Sequence, residues 1–188
     1  MRVCYDAEFL EDGRVIDLIS IALVADDGRE YYAVSRDATR GRLARRIRRN
    51  EWLMANVVPA LPQPAGDARN STPRRWLFNY ADPRVKPRHQ IAAEVTAFIL
   101  DTPPPRQLWA DYGAYDHVLL AQLSGRMTDL PAGVPMWTHD LRQEAEALGY
   151  PDPPPMPRRA AAHNALDDAR EVAWRLRWLD QRRRPSRP

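Results

Sequence analysis

The sequence begins, over residues 2–35, with RVCYDAEFLEDGRVIDLISIALVADDGREYYAVS. Runs rich in Val, Ile, Tyr and Phe alternate here with the turn-forming segments EDGR (11–14) and DDG (26–28). Such a pattern is typical of β-hairpins, in which short polar turns containing Gly connect half-buried strands. It predicts an antiparallel meander whose strands cover residues 2–9, 15–25 and 30–35. This meander is the start of the predicted sheet.

The remaining chain alternates helical and extended patterns. Apolar spacing predicts helical structure, continuous or broken, over 40–58, and a Pro-rich loop over 59–73. Further elements are a helix that begins near Pro87, a strand over 107–113, a helix over 114–123, a strand around Trp137, a helix over 141–148 that is capped by His139 or Asp140, and a last helix over 164–182. This order predicts one α/β domain over 1–181, with a mixed central sheet flanked by helices and a basic tail without fixed structure over 182–188.

Composition narrows the class of protein. With 188 residues, of which 44% are hydrophobic, the chain is long enough to bury a sizeable core. No apolar run approaches the roughly 20 residues that span a bilayer, and the polar N-terminus lacks a secretory pattern, so a cytoplasmic protein is expected. The single cysteine excludes an internal disulfide. All but one of the 28 basic residues are arginine, which pairs well with phosphate, although genomic composition gives the same bias.

Two acids occupy the predicted first strand. Asp6 and Glu8 are two residues apart. Side chains at this spacing point to the same face of a strand, so both carboxylates project together. Like charges at short distance repel unless a cation lies between them. The pair is a candidate cation site, although a solvated strand face would also carry two acids.

A third acid, Asp116, begins the helix predicted after the fourth strand. Leu119 and Leu120 follow it by three and four residues, which places all of them on one side of the helix. An acid in a first turn also complements the helix dipole, but that effect does not explain an inward direction. Asp111, on the preceding strand, is the competing candidate.

The last helix begins near a histidine and two acids. His163 and Asp168 are five residues apart, which is about 140° around a helix. They converge only if His163 lies on the approach loop. Asp168 is predicted to face inward, and Asp167 to lie with Arg170 and Glu171 on a solvated face. The inward apolar stripe consists of Leu166, Ala169, Val172, Ala173 and Leu176.

These three motifs, in this order, resemble those of the DEDD superfamily of 3′–5′ exonucleases. His163 before Asp168 is typical of the DEDDh branch, which includes RNase T and oligoribonuclease. The chain is most similar to the small polyadenylate-specific 3′-exoribonucleases of actinobacteria, from residue 1 to about 179. The similar segments are YDAEF (5–9), EDG (11–13), LISI (18–21), EYYAVS (30–35), Trp109, GAYDHV (113–118) and residues 127–130. The segment 62–85 and the tail after Gln181 depart from the family.

The resemblance implies a fold, a cofactor and a reaction. It implies an RNase H-like fold and two Mg²⁺ or Mn²⁺ ions per active site, with His163 as general base. It also implies a single-stranded RNA substrate, degraded from its 3′ end to nucleoside 5′-monophosphates, and a homodimer. The implied metal ligands are Asp6, Glu8, Asp116 and Asp168.

Substrate contacts and identity are less determined. Phe9 either stacks on the terminal base or belongs to the core. Adenine preference is open. The alternatives are a DNA exonuclease with the same site and a catalytically silent RNA-binding domain. A cluster of arginines that either follows phosphates or forms a solvated helix face comprises Arg40, Arg42, Arg45, Arg46, Arg48 and Arg49.

Overall fold

The chain is described by a computed structural model, which covers residues 1–63, 79–157 and 163–183. Within these residues, six strands form one mixed sheet in the order β4-β3-β2-β1-β5-β6. The neighbours β1/β2 and β2/β3 are antiparallel, whereas β3/β4, β1/β5 and β5/β6 are parallel. The strands are β1 Arg2–Glu11, β2 Ile16–Ala25, β3 Glu30–Ser35, β4 Val85–Lys86, β5 Gln107–Ala110 and β6 His139–Asp140.

Helices cover both faces of this sheet. The described helices are α1 Arg36–Thr39, α2 Gly41–Ile47, α3 Glu51–Asn56, α4 Arg88–Leu100, α5 Ala114–Ser124, α6 Leu141–Ala147 and α7 Ala165–Asp180. Short 3₁₀ helices lie at Val58–Ala60 and Met127–Asp129. The mixed α/β architecture predicted from the sequence is confirmed.

Alternate residues of β1 serve opposite layers, because successive side chains of a strand point to opposite faces. Val3, Tyr5 and Ala7 pack in the core that contains α4 and α5. Cys4 packs in a second core, against α6 and α7. Asp6 and Glu8 have the same parity as Cys4, so the sheet directs both acids toward the α7 layer.

Two short strands differ from the predictions. Residues 85–86 form β4, which the sequence pattern did not predict, and pair in parallel with β3. Trp137 lies outside β6, which covers only His139 and Asp140, and its side chain is exposed and packs on the ring of His139. Two-residue strands are too short for an alternating pattern to be read from sequence.

Other boundaries shift by a few residues. The segment 40–58 is broken into α2 and α3. Asn50 lies between them, and its side chain caps α3 by accepting a hydrogen bond from the amide of Leu53 (3.0 Å). The fourth predicted strand ends at Ala110, because the chain turns at Tyr112, which has a φ of 55°. Asp140, one of the two predicted caps, accepts hydrogen bonds from the first turn of α6.

The two segments that depart from the resemblance are partly described. Residues 64–78, which include Trp76, Leu77 and Phe78, lie outside the described residues, as do residues 184–188. At the start of the predicted tail, the guanidinium of Arg182 lies 3.6 Å from the ring centroid of Trp178, and Arg183 pairs with Glu144. No helix among the described residues is long and apolar enough to cross a membrane.

Candidate active site

Asp6 and Glu8 lie at the centre of the sheet, on the face covered by α7. Asp6 is opposite Ala22 and Glu8 is opposite Ser20 in the β1/β2 register, which slips by one residue after Glu8. Glu8 is only 8% exposed. The β-strand spacing therefore brings both acids to the same face, as predicted.

Asp168 reaches these acids from the first turn of α7. Asn164 caps this helix by accepting hydrogen bonds from the amides of Leu166 and Asp167. One carboxylate oxygen from each of Asp6, Glu8 and Asp168 lies within 4.8 Å of the other two. Three carboxylates so close together repel strongly without a counter-charge. Oxygen donors at this spacing suit a hard divalent cation such as Mg²⁺ or Mn²⁺.

Asp116 lies beside this cluster but outside it. It lines the same cleft, and its Oδ1 accepts a hydrogen bond from the amide of Ala7 (2.8 Å). Burial raises the pKa of Asp116 to about 7, and the nearby charges of Asp111 and Asp140 act in the same direction. The structure thus brings three of the four predicted carboxylates together and holds the fourth against the strand that carries two of them.

The raised pKa of Asp116 predicts a pH-dependent stability. When the pKa of a carboxyl is higher in the folded than in the unfolded protein, the group favours folding most at a pH below its unfolded pKa. Its contribution to the free energy of unfolding then decreases as the pH rises, until the pH has passed the folded pKa. The loss develops between the ordinary carboxyl pKa, near pH 4, and the raised value of about 7. In metal-free protein, Asp116→Asn keeps an acceptor for Ala7 and should unfold at a higher urea concentration than wild type at pH 8, with the gain vanishing below pH 4. An equal difference at both pH values would contradict the assignment.

His163 lies on the approach to α7, as predicted, because the helix begins only at Ala165. It lines the cleft with a φ of 58°, and its ring contacts Trp52 of α3 edge-on, with 4.8 Å between ring centroids. Among the described residues, it does not belong to the group formed by Asp6, Glu8 and Asp168. Residues 158–162 before it lie outside the described part of the chain.

Asp111, the competing candidate, is paired with arginines. The Nε and Nη2 of Arg142 donate to its two oxygens at 2.7 and 3.1 Å, and Nη1 of Arg175 lies 3.9 Å away. Charge-assisted bidentate pairs are the stronger class of hydrogen bond. Asp111 is therefore already committed to two guanidinium groups, which favours Asp116 as the fourth acid of the site.

The prediction that Asp167 is solvated is wrong. Asp167 is 8% exposed and pairs with Arg170, whose guanidinium also binds Glu30 of β3. Glu171, predicted on the same solvated face, is 5% exposed and lines the cleft. Each acid is paired with an arginine of α7 itself: Arg170, which also binds Glu30 of β3, pairs with Asp167, and Arg175 pairs with Glu171.

Aromatic side chains line the opposite part of the cleft. Phe9 packs partly against the α4/α5 core and stacks on Tyr115, with 5.7 Å between ring centroids. Tyr115 is 50% exposed and Tyr112 is 71% exposed. Phe9 thus belongs partly to the core and also lines the cleft. Neither tyrosine was predicted from the sequence to line the site, although Tyr112 and Tyr115 lie within four residues of Asp116.

The cleft has a volume of about 380 Å³ and joins the acids to the aromatic rings. Clustered carboxylates can hold the divalent cations that assist phosphoryl transfer. Exposed aromatic rings can stack on the bases of a single-stranded nucleic acid. A cleft that combines both features suits an enzyme that acts on the phosphodiester bonds of a nucleic acid. Its lining consists of Asp6, Ala7, Glu8, Phe9, Asp111, Tyr112, Tyr115, Asp116, Arg142, His163, Asp168, Glu171, Val172 and Arg175.

Comparison with known proteins specifies the family. Residues 1–179 match the family model described as "3'-5' exoribonuclease Rv2179c-like domain". The chain is 43% identical over 180 residues to "3'-5' exoribonuclease Rv2179c" of Mycobacterium tuberculosis (strain ATCC 25618 / H37Rv), covering 95% of this chain and 93% of the relative. The same figures hold for "3'-5' exoribonuclease MT2234.1" of strain CDC 1551 / Oshkosh. The chain therefore belongs to the Rv2179c-like 3′–5′ exoribonuclease family and is a hydrolase.

Proposed function

We propose that the protein is a metal-dependent 3′–5′ exoribonuclease that releases nucleoside 5′-monophosphates from the 3′ end of single-stranded RNA. The observation that carries this proposal is the convergence of the Asp6, Glu8 and Asp168 oxygens within 4.8 Å, in a cleft lined by aromatic rings. Carboxylates alone would repel the phosphates of RNA, so a cluster of them at a binding surface is useful only with cations bound.

The residues present fit two hard divalent cations. The donors are all carboxylate oxygens, and Asp116 lines the same cleft beside the three-acid cluster. In this proposal, Asp6, Glu8 and Asp168 hold one ion, and Asp6 with Asp116 holds the other. When bound, Mg²⁺ or Mn²⁺ neutralises developing negative charge on the attacking and leaving oxygens of phosphoryl transfer. Strand β1 and helix α7 fix the positions of the carboxylate oxygens that would hold the ions.

His163 is the proposed general base. It would take a proton from the water that attacks the terminal phosphorus, while the bond from phosphorus to the 3′ oxygen of the preceding nucleotide breaks. Imidazole is the side chain most often used for proton transfer in enzyme active sites. The edge-on contact with Trp52 and the turn before Asn164 orient the ring toward the cleft.

Phe9 and Tyr115 are the proposed contacts of the 3′-terminal base. Stacked aromatic rings accept any base, because every base has a π face, and each stack contributes about 1–3 kcal/mol. This contact does not select adenine. Selection of RNA over DNA requires a partner for the 2′ hydroxyl.

The finer family assignment also belongs to this proposal. The order of the sheet, with antiparallel β1–β3 followed by parallel β5 and β6, supports an RNase H-like fold. His163 before Asp168 supports the DEDDh branch. A preference for adenine-rich RNA, a homodimer and a cytoplasmic location remain predictions.

A thermal melt tests the cation site without RNA. A ligand that binds only the folded state stabilises it by mass action, by about 2.7 kcal/mol at a hundredfold excess over its Kd. Millimolar Mg²⁺ or Mn²⁺ should raise the melting temperature of the wild type by several degrees, and Glu8→Ala should abolish the shift. An equal shift in both proteins would place the cation elsewhere.

A further inference from the structure

Helix α7 contributes a row of charged side chains to one wall of the cleft. Asp168, Glu171 and Arg175 all line the cavity. They are three and four residues apart, so they are neighbours on the helix surface. Glu171 is 5% exposed, which is unusual for a carboxylate unless its charge is balanced. The row therefore places an additional buried acid, Glu171, one helical turn from Asp168 of the three-acid cluster.

Glu171 belongs to a chain of alternating charges. Its Oε1 lies 2.5 Å from Nη2 of Arg175, whose Nη1 lies 3.9 Å from Asp111. Asp111 in turn forms the bidentate pair with Arg142 of α6. Two carboxylates and two guanidiniums cancel in formal charge. These four charged groups connect α7, the helix that carries Asp168, to the turn at Asp111. That turn precedes α5, the helix that carries Asp116.

We propose that Arg175 is a positioning residue that holds Glu171 away from the three-acid cluster of Asp6, Glu8 and Asp168. Its guanidinium also balances the negative charge of Glu171 on that wall of the cleft. The inference rests on the proposed function. Without the guanidinium that lies 2.5 Å from its Oε1, Glu171 would add net negative charge and a further oxygen donor about one turn from Asp168, and it would draw a cation away from its catalytic position. The cluster would then bind cations more tightly and less productively.

A purely structural role predicts a different behaviour. Buried ion pairs contribute little net stability, because desolvation offsets the attraction, and removing one partner leaves an uncompensated charge. A structural pair would therefore lose stability in either single variant, while the folded fraction of each variant would keep its kcat. A positioning pair changes cation affinity in opposite directions, because one variant adds net negative charge to the wall and the other adds net positive charge.

The test measures Mn²⁺ binding to the full chain by isothermal titration calorimetry, without RNA. We expect Arg175→Met to bind Mn²⁺ about tenfold more tightly and Glu171→Gln about tenfold more weakly, the scale for one unit charge at short range. The double variant should return to within about threefold of wild type. Arg177→Met, on an exposed position of the same helix, is the matched control and should leave the isotherm unchanged.

Turnover on RNA gives the second readout. The kcat of Arg175→Met, taken per folded molecule from the urea-unfolding curve, should fall about tenfold, and adding Glu171→Gln should restore most of it, whereas a loss of stability alone would leave the kcat of the folded fraction unchanged. Unchanged isotherms in both single variants, or shifts in the same direction, would overturn the inference. If Arg175→Met does not fold, an unchanged affinity in Glu171→Gln overturns it alone. A wild type that binds no Mn²⁺ would instead contradict the proposed function.

Discussion

Replacing Asp6, Glu8 or Asp168 by alanine should lower kcat/KM on RNA by about 10³-fold or more. Each supplies an oxygen to the same three-acid group, and a bound metal contributes several kcal/mol to phosphoryl transfer. The metal-free variants should be as stable as the wild type or more stable, because removing one acid relieves repulsion within the group. Steady-state kinetics and urea unfolding of the same preparations measure both effects.

The control variants test which acid completes the site. Asp116→Asn keeps the acceptor for the Ala7 amide and should show a comparable loss, whereas Asp101→Asn, at an exposed position outside the cleft, should be near wild type. Near-normal activity in Asp116→Asn with a large loss in Asp111→Asn would assign the fourth ligand to Asp111. Near-normal activity in Glu8→Ala would contradict the site as a whole.

Replacing His163 by alanine should lower kcat by about 10²–10⁴-fold, the usual contribution of a general base. Its affinity for Mg²⁺ or Mn²⁺ should change little, since His163 lies outside the carboxylate group among the described residues. The ring also contacts Trp52, so the substitution removes a packing contact as well as a base.

Trp52→Ala separates packing from chemistry. It removes the same ring contact but leaves the imidazole, so its rate loss should be much smaller than that of His163→Ala. Full activity in His163→Ala would exclude the catalytic role, and lost metal binding would make His163 a ligand instead.

The central carboxylates were predictable from sequence because local periodicity decides their direction. The two-residue period of a strand sends Asp6 and Glu8 to one face, and the apolar stripe of α7 places Asp168 inward. The order of the motifs then supported their convergence. The same reasoning located His163 on the approach to the helix, since a position within it would have pointed away from Asp168.

The error at Asp167 shows the limit of a periodic pattern. A pattern of this kind assumes that a helix has one buried side and one solvated side. The flank of α7 that carries Asp167 is covered through Arg170 by Glu30, and Glu171 is covered by Arg175. The pairs Asp167–Arg170 and Glu171–Arg175 have local helical spacing, but the contact of Arg170 with Glu30 joins distant segments, and no local spacing predicts that the flank is covered.

The aromatic part of the cleft was missed for a related reason. Tyr112 follows β5 in a turn, within the residues predicted as strand, and Tyr115 is the second residue of α5. The positive φ at Tyr112 shows that strand periodicity does not hold there, and the helical pattern of α5 gave no reason to single out Tyr115 as a stacking group. The signal available in the sequence was the proximity of two tyrosines to Asp116, and a search for stacking groups around the predicted acid would have found them.

The most direct test of the central claim is digestion of 5′-labelled single-stranded RNA and DNA of matched sequence, including adenine homopolymers, with Mg²⁺ or Mn²⁺ and with a chelator. The account predicts that RNA shortens one nucleotide at a time from its 3′ end, releases nucleoside 5′-monophosphates, and is not shortened in the chelator. DNA should be degraded more slowly. Metal-independent shortening, cleavage at internal positions, or faster degradation of DNA than of RNA would contradict it.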